Sequence, residues 1–446
     1  MIKKSTLRNL CKIVDEKNVV LESEKLGEFS IDGVLPQIVL SPNNIDQVSE
    51  IMKLASKDAL SVIPWGSGTK SALGNKPDRA DIVLSTKNLG RIIEHGASDL
   101  VATTECGITL KKFQEALNKE NQFLAVDPPH VTHVNRRATI GGIIATNDSG
   151  PERLRYGTIR EFLIGIKVVK ADGSIFKGGS KVVKNVAGYD LPKLYVGSLG
   201  TLGIIVEATF RLYPVPEYSQ TYVASFSSLE DCQETISTLL NSHLVITSLE
   251  LLNPNLAASL AKRNDVDIND SRYSLVIGIR SVEKAVKEQI PSVKKICDQN
   301  NGNGLLISGT PEEKLWEDIR NFPWIILKSD RVVSKVGVVV TQIPQVLQTI
   351  KQISNEYGVK IYVSVRAGNG ICIIALKGEG PSVNNALKHL RNFISSINGH
   401  LVLLEAPSEI KNSFDVWGEI GSGLGIMKRI KANYDPNNLL NPGRYI

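Results

Sequence analysis

Residues 138–157 read ATIGGIIATNDSGPERLRYG, and residues 184–214 read KNVAGYDLPKLYVGSLGTLGIIVEATFRLYP. Across 138–214 glycines recur where the chain should change direction: Gly141, Gly142, Gly150, Gly157, Gly188, Gly197, Gly200 and Gly203. Short β-branched runs at 164–169 and 204–206 lie between them. Glycine tolerates positive φ and lets another group come close to the backbone. Its repeated use beside small side chains fits a chain wrapped around something flat or charged. A dinucleotide held by backbone amides answers both descriptions, and a set of glycine-rich β-turns is the alternative.

Working upstream, residues 41–60 read as an amphipathic helix capped by Asn43 or Asn44, with Ile45, Val48, Ile51, Met52 and Ala55 at helical spacing. A strand at 60–64 then runs into Gly66-Ser67-Gly68-Thr69-Lys70-Ser71. A Walker A loop would need glycine where Thr69 stands, and a Rossmann loop would need glycine where Ser71 stands. What remains is a strand entering a Gly/Ser/Thr turn whose amides and hydroxyls can surround an anion, with Lys70 adding charge. A polar hairpin turn is the plain alternative. Further strands are expected at 82–84 and 100–105, a helix at 107–117, and a hairpin over 163–177 turning at Asp172-Gly173. Pro214 and Pro216 mark a boundary, after which glycine thins out and helices alternate with strands to about residue 400.

The totals set bounds. At 446 residues the chain exceeds one usual core, so two or three domains are expected. A composition of 42% hydrophobic and 22% charged residues is that of a soluble globular protein. The net charge of +6 is spread along the chain. Without a concentrated basic stripe and aromatic platforms it argues against nucleic acid and leaves an anionic ligand or membrane surface open. The five cysteines are far apart with no CxxC pair, which argues against an iron–sulfur cluster, a zinc ribbon or a disulfide framework and fits a reducing cytoplasm. The basic start lacks a following apolar segment, and no window offers some twenty apolar residues, which argues against secretion and membrane spanning.

Three glycine segments in this order, an α+β region and a closing LNPGR at 440–444 resemble the flavin oxidoreductases of the vanillyl-alcohol oxidase/PCMH superfamily. Within it the chain is similar to the glycolate oxidase and D-lactate dehydrogenase group, and its wording at 149–173 and 178–203 is nearest the FAD-binding E-subunit type. The resemblance covers roughly residues 35–446. It implies an α+β chain with a PCMH-type FAD-binding domain at 1–216, in two subdomains (about 35–90 and 91–216). An α+β cap follows at 217–400, and a segment at 401–446 packs back on the FAD domain. It also implies that Pro64, Gly66, Ser67, Gly68, Thr69 and Lys70 form the pyrophosphate loop. Gly141, Gly142, Ala145, Asn147 and Ser149 would pass the pyrophosphate and isoalloxazine. Gly200, Gly203 and Ile205 would lie near the adenosine, and Asn441 at the returning segment. Some relatives carry a flavin-linking histidine in the first loop; this loop has none, so non-covalent FAD is expected.

The catalytic end departs from the family pattern. Where metal-dependent relatives read HAGDGNLH, this chain reads Arg366-Ala367-Gly368-Asn369-Gly370-Ile371-Cys372-Ile373, losing both histidines. The later EHG motif is Glu419-Ile420-Gly421, losing a third. Isoleucine neither ligates a metal nor accepts a proton, so no metal site is expected. Arg320 occupies the position of a carboxylate-binding arginine, or else pairs with Glu317 on a helix surface. Glu419 is the candidate base, or a leftover of the motif, and Arg366 a candidate anion anchor. His130 and His133 read as structural.

The implied activity is FAD-dependent oxidation of a small D-2-hydroxy acid, D-lactate or glycolate, with electrons passed to a quinone, dye or protein acceptor. The alternative is an FAD-bearing electron-transfer subunit working with a partner flavoprotein and an iron–sulfur subunit. A weaker third is a non-enzymatic flavin-binding protein. The expected location is the cytoplasm, with peripheral association at the inner face of the membrane if the acceptor is a quinone.

Overall fold

The computed structural model describes residues 2–132, 137–180, 189–264 and 272–446. His133, Gly188 and most of the expected loop at 181–190 lie outside the described residues. The chain divides into two compact units. The first comprises Met1–Ser149, Thr158–Val215 and Glu419–Ile446; the second comprises Gly150–Gly157 and Pro216–Gly418.

The first unit holds two main sheets. One has the order Val19–Val20, Ile38–Leu40, Ile82–Ser85, Val62–Trp65, and its last three strands are parallel. Parallel strands need crossover connections. The helix Ile45–Lys57 provides one, burying Val48, Ile51, Met52 and Ala55 under the sheet. Asn44, rather than Asn43, caps it, accepting from the Gln47 N–H at 2.9 Å. The other sheet is antiparallel, ordered Ile92–Gly96, Val101–Glu105, Ile204–Arg211, Leu163–Val169, Ile175–Gly179. The expected hairpin is its last pair.

The second unit is built on one eight-stranded antiparallel sheet. Its order is Asn303–Ile307, Tyr218–Phe226, Tyr273–Ser281, Ser248–Leu252, Lys360–Arg366, Ile371–Lys377, Val332–Gly337, His400–Glu405. Strand residues alternate between faces. One face, including Leu249, Leu251, Val363, Val365 and Ile374, buries against the helices Leu229–Leu240, Glu283–Gln299, Ile343–Tyr357 and Gly380–Ser396. The other, including Val223, Leu252, Val276 and Tyr362, lies under the helices Pro254–Asn264 and Thr310–Ile326.

Two expected boundaries move. The segment expected to return from residue 401 returns from Glu419, because His400–Glu405 is an edge strand of the large sheet and holds residues 401–418 in the second unit. Residues 150–157, expected inside the first domain, also belong to the second unit. There Glu152 pairs with Arg280, and Leu154 packs on the sheet's core so closely that a Cβ on Gly368 would meet its Cδ1 at 2.5 Å.

Candidate functional site

In the first unit, the parallel strand Val62–Trp65 delivers Gly66–Ser71 to the mouth of a cleft of about 650 Å³, adjoined by a second of about 430 Å³. Pro64, Gly66, Ser67, Gly68, Thr69, Lys70, Gly142, Ala145 and Asn441 line the larger part. Gly141, Gly200, Gly203 and Ile205 line the smaller, with Pro64, Gly66, Gly142 and Ala145 common to both. Asn147 and Ser149 are not among the lining residues. The sequence reading also missed Trp65, Thr139, Leu199 and Arg444.

The cleft's glycines do different jobs. A Cβ on Gly66 would run into Thr139 Oγ1, and Gly200 adopts φ +69 with Pro64 only 3.1 Å from where a Cβ would stand. Among the described residues the N–H groups of Ser67, Gly68 and Thr69 donate to no protein acceptor, so they are available to an anion. The Gly141 N–H is already given to Cys106 O at 2.8 Å, so this glycine contributes close approach rather than a donor. Lys70 is half-committed: its ammonium lies 2.7 Å from Asp148 Oδ2.

The returning segment completes the cleft. Leu440 bridges to Val62 in parallel, and Asn441 N–H donates to Val62 O at 3.0 Å. The Asn441 side chain donates through Nδ2 to Leu199 O at 2.5 Å, which fixes the amide's orientation and turns Oδ1 the other way. That oxygen is buried and unpartnered, as is Asn147 Oδ1. Arg444 donates to Ser71 O at 2.6 Å, to Asn75 O at 3.0 Å and to Leu73 O, pinning the chain just beyond the first glycine loop. Burial brings the Arg444 guanidinium down to about 10, with Asp32 opposing the shift. His130, buried with φ +65, uses its carbonyl to accept from Ala138 N–H at 2.9 Å.

In the second unit, Arg366 ends the strand Lys360–Arg366 directly opposite Glu250 on Ser248–Leu252. Its Nε lies 3.9 Å from Glu250 Oε1, and Ser364 Oγ donates to Glu250 Oε2 at 2.5 Å. Glu250 is fully buried; burial pushes its carboxyl up to about 7 while Arg366 and Ser364 pull it down. Sequence reading found Arg366 but missed this partner, and it missed Lys335, which pairs with Ile373 in the sheet register.

Arg320 sits on Thr310–Ile326, four residues from Trp316 and from Trp324. Trp316 Nε1 donates to Thr221 Oγ1 at 2.8 Å near one edge of the sheet, and Trp324 Nε1 donates to Glu405 Oε2 at 2.8 Å at the other. Residues four apart share a helix side, so Arg320 falls between these anchors. Glu419 is exposed, at the first residue of the returning segment, in a different unit from Arg320 and Arg366. Among the described residues no group of three or more His, Cys, Asp or Glu side chains is placed to hold a metal ion. No helix of the described residues is long and apolar enough to cross a membrane.

Two family models match the chain: the FAD binding domain over residues 36–179, and the C-terminal domain of FAD linked oxidases over 215–396 and 418–445. The chain belongs to the FAD-linked oxidases. The glycolate oxidase subunit GlcD of Bacillus subtilis is 29% identical to it over 421 residues, covering 92% of this chain and 89% of that protein. A protein named probable D-lactate dehydrogenase, mitochondrial, from Danio rerio is 28% identical over 438 residues, with 92% and 84% covered. The solved structure of p-cresol methylhydroxylase with substrate bound superposes with a TM-score of 0.80 at 15% identity, covering 99% of this chain and 97% of that one. This FAD-linked oxidase therefore has the PCMH-type fold and is an FAD-dependent oxidoreductase. Its cleft fits the cofactor: unpaired amides suit a pyrophosphate, glycines leave no Cβ in the way, and the Asn441 oxygen is a buried acceptor in need of a donor.

Proposed function

We propose that this FAD-linked oxidase is a dehydrogenase of small D-2-hydroxy acids, D-lactate or glycolate, passing electrons to a quinone, dye or protein acceptor. When bound, FAD supplies the two-electron acceptor. Gly66 to Lys70 hold the pyrophosphate by backbone amides, with Pro64 shaping the entry. Gly141, Gly142 and Ala145 flank the path toward the ring, Gly200, Gly203 and Ile205 the adenosine, and Asn441 accepts a hydrogen bond. Arg320 and Arg366 anchor the substrate carboxylate, a task a guanidinium fork suits. Glu419 takes the hydroxyl proton as the substrate's Cα–H leaves as hydride, giving the 2-oxo acid.

The observation carrying this reading is Arg366, which ends a strand beside the buried carboxylate of Glu250 in the same unit as Arg320. The test is anaerobic addition of D-lactate or glycolate to the yellow protein. Loss of flavin absorbance near about 450 nm, the general flavin band, is the expected outcome; an unchanged spectrum with either acid would count against it. A second reading is an electron-transfer subunit without substrate chemistry of its own. The exposure of Glu419 favours it, together with Ile373 and Ile420 at family histidine positions. In that case the spectrum bleaches only after a partner flavoprotein or iron–sulfur subunit is added with the acid.

A further inference from the structure

The last helix of the first unit, Leu424–Tyr434, buries a lysine. Lys431 Nζ donates to Thr201 O at 2.9 Å, to Leu440 O at 2.9 Å and to Asp435 Oδ2 at 2.5 Å. An ammonium has three N–H donors, and all three are used. Asp435, whose side chain is 0% exposed, accepts in turn from Leu439 N–H at 2.9 Å and Leu440 N–H at 2.7 Å. Pairs four apart on a helix usually lie in solvent and contribute a few tenths of a kcal/mol. This one is enclosed, and its other two acceptors come from segments 230 and 9 residues away.

Those two segments are neighbouring stretches of the cofactor cleft's lining, meeting where Gly200 lies against Pro64 and Asn441. Thr201 follows Leu199 and Gly200, which line the cleft. Leu440 precedes Asn441 and is joined to Val62, two residues before Pro64 and the first glycine loop. One cation thus ties the 199–203 stretch to the 62–71 stretch by way of the returning segment. A buried ion pair is seldom the most stabilising filling for such a space, since apolar side chains of similar volume do as well or better. What it adds is directed bonds to two specified carbonyls. Asn441 repeats the link from the other side through Leu199 O.

We propose that Lys431 and Asp435 are a positioning pair that sets the spacing of these two stretches of the cleft's lining and thereby the cleft's affinity for FAD. The proposal rests on the reading of this cleft as the FAD site.

The test uses the full chain, stripped of flavin and titrated with FAD, as wild type, as K431M/D435N and as K431R. The double variant removes both charges together and leaves no lone buried carboxylate. It is expected to keep the wild-type far-ultraviolet circular dichroism while its FAD dissociation constant rises at least tenfold and the visible circular dichroism of bound flavin changes. K431R keeps the charge and recovers part of the affinity. Wild-type affinity and flavin spectrum in a folded double variant would overturn the proposal. If the double variant does not fold, hydrogen exchange on the wild-type chain decides. FAD then protects amides at 198–203 and 439–441 together, and protection of one without the other would overturn it. A wild-type chain that binds no FAD would instead sink the assignment of the cleft, a separate failure visible in the control.

Discussion

Glu250 carries the clearest consequence of a single residue's surroundings. Burial pushes its carboxyl up to about 7, well above the ordinary carboxylate range, against the pull of Arg366 and Ser364. A group raised in the folded state contributes stability that is complete below its unfolded value and is lost as the pH climbs through the folded one. Denaturant unfolding should therefore show the wild type losing on the order of 3 kcal/mol between about pH 4.5 and pH 8 from this group. Glu250→Gln, which copies the protonated form, should remove that component of the slope; an unchanged slope would exclude Glu250 as its source. A second expectation concerns Arg366, Ile373 and Ile420. With arginine and isoleucine in place of imidazole there is no nitrogen ligand at these positions. Prolonged treatment with EDTA should leave hydroxy-acid-dependent flavin reduction within about twofold of the untreated rate, and a larger loss reversed by a divalent metal would contradict this. Sequence reading singled out Arg366 because a motif surrounds it. Its partner Glu250 lies 116 residues away and carries no local signal, since the pairing exists only in the sheet's register.

At the level of elements, helices with a strong apolar period and a capping residue were readable, and short or glycine-bearing edge elements were not. The helix Ile45–Lys57 is the favourable case, but choosing between Asn43 and Asn44 needed the observed bond to Gln47. Asn43 instead joins a network with Asn18, Asn88 and Asp15. Asn44→Ala should cost about 1 kcal/mol, the usual value of such a cap, and Asn43→Ala should leave that cap bond intact; thermal melts of the two variants provide the check. The strand Asn303–Ile307 escaped the sequence reading because it is a partly exposed edge with a glycine and no clear alternation. The helix Pro254–Asn264, begun by a proline that suits a first helical turn, escaped it too. In the cofactor cleft the glycines were legible by their density, but their separate duties were not. Gly66→Ala should lower FAD affinity by more than tenfold through the clash with Thr139 Oγ1, measured as quenching of free flavin fluorescence. A variant that binds as tightly as wild type would mean that the loop can yield.

For the whole molecule, the order of residues and the order of assembly differ. Residues 150–157 interrupt the first unit in sequence yet contribute Glu152 and Leu154 to the second. Leu154→Ala should destabilise the second unit by roughly 1–2 kcal/mol, less than a fully buried leucine because this one is half-buried. Hydrogen exchange should report the loss in Ser248–Leu252 and Lys360–Arg366, and a loss confined to the first unit would contradict the assignment. The break after Val215 and the glycine loops that line the cleft were readable because glycine spacing and composition change along the chain. Where residues 150–157 and 401–418 belong was not, because that depends on long-range pairing.

The returning segment also has a bearing on synthesis. The Val62 N–H donates to Leu439 O and the Val62 carbonyl accepts from Asn441 N–H, residues made some 380 positions later. While the chain is being translated, its parallel sheet can form, but one wall of the cleft stays missing until residue 441 has left the ribosome. A cleft lined from segments so far apart in sequence is whole only once residues 439–444 have been made, so its completion follows the synthesis of the intervening chain rather than that of the first glycine loop.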